Sequence, residues 1–171
     1  CNFIGAGLMK KIVLLSDTHG YMDGAILNHV SQADEVWHAG DIGDVKVTDA
    51  IQRLKPLKAV FGNIDDATMR SEFPEHNRFM CEGVDVWITH IGGYPHRYNP
   101  RIKEAIALRP PKLFISGHSH ILKVQYDKKL KLLHMNPGAV GKHGFHNVRT
   151  MLRFEIENTD IKNLEIIEMK R

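Results

Sequence analysis

Short apolar runs that stop at polar, glycine-rich loops recur along this chain. The first, Ile12-Val13-Leu14-Leu15, gives way to Ser16-Asp17-Thr18-His19-Gly20. It is short and β-branched at its start, so it predicts a buried strand. Apolar positions Ile26, Leu27 and Val30 follow at helical spacing over residues 23–32, with Asp23 as a candidate N-cap. The alternation then repeats. A strand over 35–39 ends in Gly40-Asp41-Ile42-Gly43-Asp44, a helix over 47–54 is stopped by Pro56, and a strand over 57–61 ends in Gly62-Asn63-Ile64-Asp65-Asp66. Strand, polar loop and helix in repeat predict parallel strands with right-handed crossovers.

Beyond residue 67 the rhythm changes. Residues 68–75 read as a loop or short helix, and 78–81 with 84–89 flank Glu82-Gly83 as a hairpin that delivers His90. Helical spacing returns at Ile102, Ala105 and Ile106, over 99–108. A strand over 112–116 leads into Gly117-His118-Ser119-His120, and further strands are expected over 122–126, 130–134, 148–156 and 161–168. This β-rich half predicts a second sheet packed on the first. With no linker, repeat or low-complexity tract, the reading is an α/β fold in one domain over 9–171. Residues 1–8 read as a leader or expression remnant ahead of a natural start at Met9.

Composition narrows the function classes. The 171 residues are 43% hydrophobic and 25% charged, as expected of a soluble globular protein. A formal charge of +3 without a basic stripe gives no support to nucleic-acid binding. No run approaches the ~20 apolar residues that span a membrane. Two cysteines, Cys1 and Cys81, make no disulfide framework and fit a reducing cytoplasm. The unusual count is eleven histidines, several of them beside Asp, Asn or Gly where apolar runs end.

Those loops offer Asp17 and His19, Asp41 and Asp44, Asn63 and Asp65, His90, then His118 and His120. In extended chain, Asp17 and His19 face one way. Imidazole nitrogens mixed with carboxylate and amide oxygens suit Mn, Fe or Zn better than Ca²⁺ or a structural thiolate site. More than four donors at separate strand ends exceed one tetrahedral ion. They suit two ions sharing a carboxylate, the usual device for displacement at phosphorus. Blander roles compete. Asp17 and Asp41 could be helix N-caps, His118-x-His120 a polar turn, and Asp66 a solvated loop acid. His38, His134, Trp37 and Trp87 read as core.

Asp17-x-His19, Gly40-Asp41-x-x-Asp44, Gly62-Asn63-x-Asp65, His90 and Gly117-His118-x-His120 resemble the five signature blocks of the calcineurin-like metallophosphoesterases. Asn136-Pro137-Gly138-Ala139 resembles a further block of the small bacterial and archaeal phosphodiesterase branch. The resemblance implies a four-layer α/β/β/α sandwich, with two packed mixed sheets flanked by helices. It implies a binuclear-metal phosphodiesterase or phosphatase acting on a small phosphoester, with Mn the first choice of ion and Ni, Fe or Zn alternatives. Asp17, His19 and His120 would hold one metal; Asn63, His90 and His118 the other; Asp41 would bridge. A water or hydroxide between the ions would attack phosphorus, with Asn63 and His118 beside it, while Asp44 and Asp65 orient histidines. Where many relatives carry a proton-donating His this chain has Ile64. His143 and His146 are the nearest replacements, and His146 is taken as the acid. Loops at 94–99 and 142–147 would set specificity, and an apolar patch on the late sheet could form a homo-oligomer. A eukaryotic retromer subunit resembles the same fold, so a non-catalytic scaffold is the alternative function.

Overall fold

β1 (Met9–Leu15) sorts its side chains by parity. Ile12 and Leu14 enter one buried cluster, Val13 and Leu15 another. That alternation is the pleat of a strand buried on both faces, and it divides the molecule into layers. The computed structural model describes residues 9–171, so the reading of residues 1–8 and the state of Cys1 lie outside the described residues.

One sheet runs β12-β11-β1-β2-β3, with β2 at Glu35–His38, β3 at Leu57–Ala59, β11 at Val148–Glu157 and β12 at Asp160–Lys170. β1, β2 and β3 are parallel to one another, β11 pairs antiparallel with β1, and β12 pairs antiparallel with β11. The second sheet runs β4-β5-β8-β10-β9, with β4 at His76–Cys81, β5 at Val84–Thr89, β8 at Leu113–Ile115, β9 at Leu122–Asp127 and β10 at Leu132–Pro137. Both sheets are mixed.

The sheets pack through Ile12, Leu14 and Trp37 of the first against Val86, Ile88, Leu113 and Ile115 of the second. The outer face of the first sheet is covered by α1 (Gly24–Ser31), α2 (Val45–Gln52) and α3 (Ala67–Glu72), through Ile26, Val30, Ile51 and Met69. The outer face of the second carries Trp87 and Phe114 against Ile102 and Ile106 of α4 (Pro100–Leu108). This is the expected four-layer sandwich. Each fully buried aliphatic or aromatic side chain contributes roughly 1.5–3 kcal/mol.

Several element ends shift by about two residues, as with α2 at Val45–Gln52 and β3 at Leu57–Ala59, and two larger differences from the sequence reading stand out. β10 runs to Pro137 instead of stopping at residue 134. Polar Asn136 disguises the strand, yet its amide is satisfied by Gly117 O at 3.0 Å and Ser119 Oγ at 3.1 Å. Proline, which lacks an N–H, takes the last position. A small hairpin, β6 (Gly93–Tyr94) with β7 (Arg97–Tyr98), is too short for any periodicity to reveal.

Candidate metal centre

The parallel strands of both sheets end at one edge, and backbone bonds sew the loops there together. Asp17 N donates to Gly40 O at 3.0 Å, His19 N to Asp41 O at 3.0 Å, and Gly117 N to His90 O at 3.0 Å. Asp17, His19, Asp41, His118 and His120 all have positive φ, between 45° and 68°. Such a backbone costs a non-glycine residue about 1–3 kcal/mol and gathers at functional sites. It also corrects the expectation that Asp17 and His19 share a face of extended chain: two left-handed turns aim them together.

The side chains form two groups, each with its ligand atoms within 4.8 Å of one another. One is Asp17, His19 and His120; the other is Asp41, His90 and His118. Asp17 Oδ1 lies 3.1 Å from His120 Nε2, 3.8 Å from His19 Nε2 and 3.9 Å from His90 Nε2. Asp41 Oδ2 lies 3.2 Å from His90 Nε2 and 3.5 Å from His19 Nε2, so it faces both groups. Asn63 Oδ1 stands 3.0 Å from His118 Nδ1. Asp17 Oδ1, His19 Nε2 and His90 Nε2 are buried and make no hydrogen bond. Buried polar atoms are almost always satisfied. These three orphans fall in the two adjoining groups, and all are good metal donors, so the site fits divalent cations.

The other end of each ligand is held. Asp17 Oδ2 accepts from Ser16 Oγ at 2.6 Å and from His118 N at 3.2 Å. Asp41 Oδ1 accepts from Ile64 N at 3.1 Å. His90 donates Nδ1–H to Ala39 O at 2.7 Å, which fixes its tautomer and leaves Nε2 open. None of these supports has a sequence signature except Ser16, which precedes Asp17 directly.

The two remaining acids work differently from expectation. Asp65 accepts from the backbone N–H of Ile42 at 3.1 Å, Gly43 at 2.8 Å and Gly62 at 2.7 Å. It therefore ties the Asn63 loop to the Asp41 loop and orients backbone, not a histidine. Asp44 accepts from Lys46 N at 2.8 Å as the N-cap of α2. The orphan N–H groups of that helix claim it. The caps are Asp23, Asp44, Asp66 and Asn99, so Asp17 and Asp41 are not caps. Gly62 has no room for a side chain, because a Cβ there would collide with Asp41.

Charge follows from this packing. Burial alone would raise the Asp17 carboxyl, but His120, His19, His90 and Ser16 outweigh it and hold it well below the usual carboxylate range. Asp41 is lowered in the same way, with burial opposed by His90 and by the Ile64 amide. Both are ionised at neutral pH and ready for a cation. His38 is fully buried between Thr18 Oγ1 at 3.0 Å and Gly40 N at 3.1 Å. Burial pushes its pKa down to about 4, so it is a neutral strut beneath the site.

Residues 141–147 cover the Asp17 side. His143 stacks on His19 with ring centroids 4.6 Å apart, and His146 meets His120 edge-on at 5.5 Å. His146 Nε2–H is given to Gly141 O at 2.8 Å. That bond leaves Nδ1 as the ring nitrogen of His146 without a partner. The ring of His143 is exposed and free of that commitment.

The chain is similar to several known proteins. A calcineurin-like phosphoesterase superfamily domain model matches residues 9–159. A probable metallophosphoesterase of Methanocaldococcus jannaschii is 30% identical over 146 residues, covering 80% of this chain and 71% of its own. Among solved structures, a novel archaeal phosphodiesterase superposes with a TM-score of 0.69 at 20% identity, covering 93% of this chain and 99% of its own. Zinc-complexed Vps29 of Entamoeba histolytica superposes with a TM-score of 0.70 at 15% identity, covering 94% and 98%. At such identities the two structures speak for the fold.

Proposed function

This chain belongs to the calcineurin-like phosphoesterase superfamily, and we propose that it is a phosphodiesterase working with two divalent ions. The observation that carries the reading is the pair of adjoining ligand groups, in which Asp17 Oδ1, His19 Nε2 and His90 Nε2 are buried without a hydrogen-bond partner. In this reading Asp17, His19 and His120 would hold one ion and Asn63, His90 and His118 the other, with Asp41, which faces both groups, shared between them. Bound ions supply a water of lowered pKa as nucleophile and take up charge on the phosphoryl oxygens. The chain's own residues set that stage. Ala39 O and Ile64 N lock His90 and Asp41, Asp65 fixes the spacing of two loops, and His118 faces the reacting group.

Ile64 has no titratable group, so the leaving group departs as the anion of an acidic alcohol or takes a proton from His146 or His143, whose rings lie against His120 and His19. A site without a committed acid suits activated diesters better than alkyl monoesters. Mixed imidazole, carboxylate and amide donors suit Mn²⁺ as the working ion. Two cysteines in the chain fit a reducing cytoplasm. The scaffold alternative draws on the likeness to Vps29; it predicts no turnover of a phosphoester with metal bound. Asp41→Asn tests the assignment. Turnover of bis-p-nitrophenyl phosphate should fall at least ~100-fold, and a near-normal rate would overturn it.

A further inference from the structure

A cleft of about 310 Å³ opens beside Asn63 and His90, walled by Arg70 of α3, His76 of β4 and Arg101 of α4. Arg70 is held in place. Its Nε donates to Asp65 O at 2.7 Å, its Nη2 to Asn63 O at 3.3 Å, and its guanidinium lies 4.7 Å over the Phe61 ring. Arg101 reaches the same cleft and meets Glu75, the only acid among its walls, at 3.4 Å. Both partners of that pair are substantially exposed, and exposed ion pairs are worth little. The Arg101 guanidinium is therefore free to exchange Glu75 for a stronger anion, and guanidinium groups are well matched to phosphate.

A second cleft of about 390 Å³ lies on the far side of Ile91 and Asn99, beside His118, and offers Tyr94, Ile121 and Ser119. The two clefts share the Ile91–Asn99 partition and each reaches ligands of the same candidate ion. A diester bound at that ion has one arm for each. One arm meets Tyr94 and Ile121, with Arg97 and Lys123 also in the wall and the Lys123 ammonium spent on the Tyr94 ring at 4.1 Å; the other meets two guanidinium groups.

We propose that the Arg70–Arg101 cleft is a subsite for a second phosphate on one arm of the substrate, which is then a diester carrying a further phosphate monoester. The inference rests on the phosphodiesterase reading for where the first phosphorus sits. Arg101 sets specificity here, and Glu75 holds the subsite closed to weaker anions.

The test is calorimetric binding of thymidine 5′-monophosphate and thymidine 3′,5′-bisphosphate to the Mn²⁺-loaded protein. The bisphosphate should bind at least ~10-fold tighter, the gain expected of one guanidinium–phosphate contact. Arg101→Gln should bring the two affinities within about twofold, Arg101→Lys should keep part of the difference, and Glu75→Gln should widen it. Both positions are solvent-facing, so the variants fold. Equal affinities in the unaltered protein would overturn the subsite, as would a ratio that neither Arg101→Gln nor Glu75→Gln changes. Turnover of bis-p-nitrophenyl phosphate, which has no second anion, separates the two ideas. Turnover with no preference for the bisphosphate removes the subsite alone. A preserved preference without turnover removes the phosphodiesterase reading alone.

Discussion

His90 donates its Nδ1–H to the carbonyl of Ala39 across 2.7 Å, and this one bond joins the two sheets while aiming Nε2 at Asp41. Strand end and ligand geometry are thus the same feature. Gly40, next to Ala39, has no room for a Cβ because the His90 ring lies against it.

Replacing His90 with Ala should cause two losses that separate in measurement. Denaturant unfolding of metal-free protein should show a loss of about 1–3 kcal/mol, because Ala39 O is left buried without a donor. Turnover should fall by at least ~100-fold, as for a lost ligand. A variant that loses stability and keeps turnover would remove His90 from the metal set.

Gly62→Ala should damage the site without touching a ligand side chain. The added methyl runs into Asp41 Oδ1 and Asp41 N, so Asp41 must move away from His19 and His90. Overpacking of this kind costs about 1–3 kcal/mol. Metal titration should show weaker binding, and unchanged affinity would mean that Asp41 is free to shift.

Asp65→Asn tests the loop tie. The carboxylate accepts three backbone N–H groups, and an amide presents one of them with a donor. Charge-assisted bonds of this type make a loss of about 2–4 kcal/mol in unfolding experiments. Activity should fall with it, since the Asp41 and Asn63 loops lose their spacing. An unaltered midpoint in urea would contradict the tie.

Acid should weaken the metal-free fold through two buried imidazoles. Burial pushes His134 down to about 4 from an ordinary value of 6.5, and its Nδ1–H is spent on Phe114 O at 3.1 Å. His38 is lowered to the same level. Between about pH 6.5 and pH 4 the unfolded chain binds protons that the folded chain refuses, so stability falls as pH falls. The full effect is up to about 3 kcal/mol per ring. Unfolding free energies at pH 7 and pH 5 should differ less in His134→Asn than in the unaltered protein. An equal difference would mean that His134 takes up protons in the folded state.

The sequence exposed what periodicity and chemistry constrain. Parity in β1 and helical spacing in α1 and α4 show because burial demands them. The candidate ligands show because few residue types coordinate a cation, and they fall where apolar runs stop. The roles of Asp44 and Asp65 did not show, since a cap, a loop tie and a histidine-orienting acid look alike in one dimension. The left-handed turns at Asp17 and His19 were equally hidden behind an expectation of extended chain. Ala39 O and Ile64 N are backbone groups that any side chain would bring. Arg70 and Arg101 are 31 positions apart, and only the packing of α3 and α4 around one cleft brings them together.

The most direct test strips the protein of metal and assays bis-p-nitrophenyl phosphate and p-nitrophenyl phosphate with and without Mn²⁺. Negligible turnover without metal, restored by Mn²⁺ and faster on the diester, is the result this account predicts. Turnover that is indifferent to metal, or absent on both compounds with two ions bound, would contradict it.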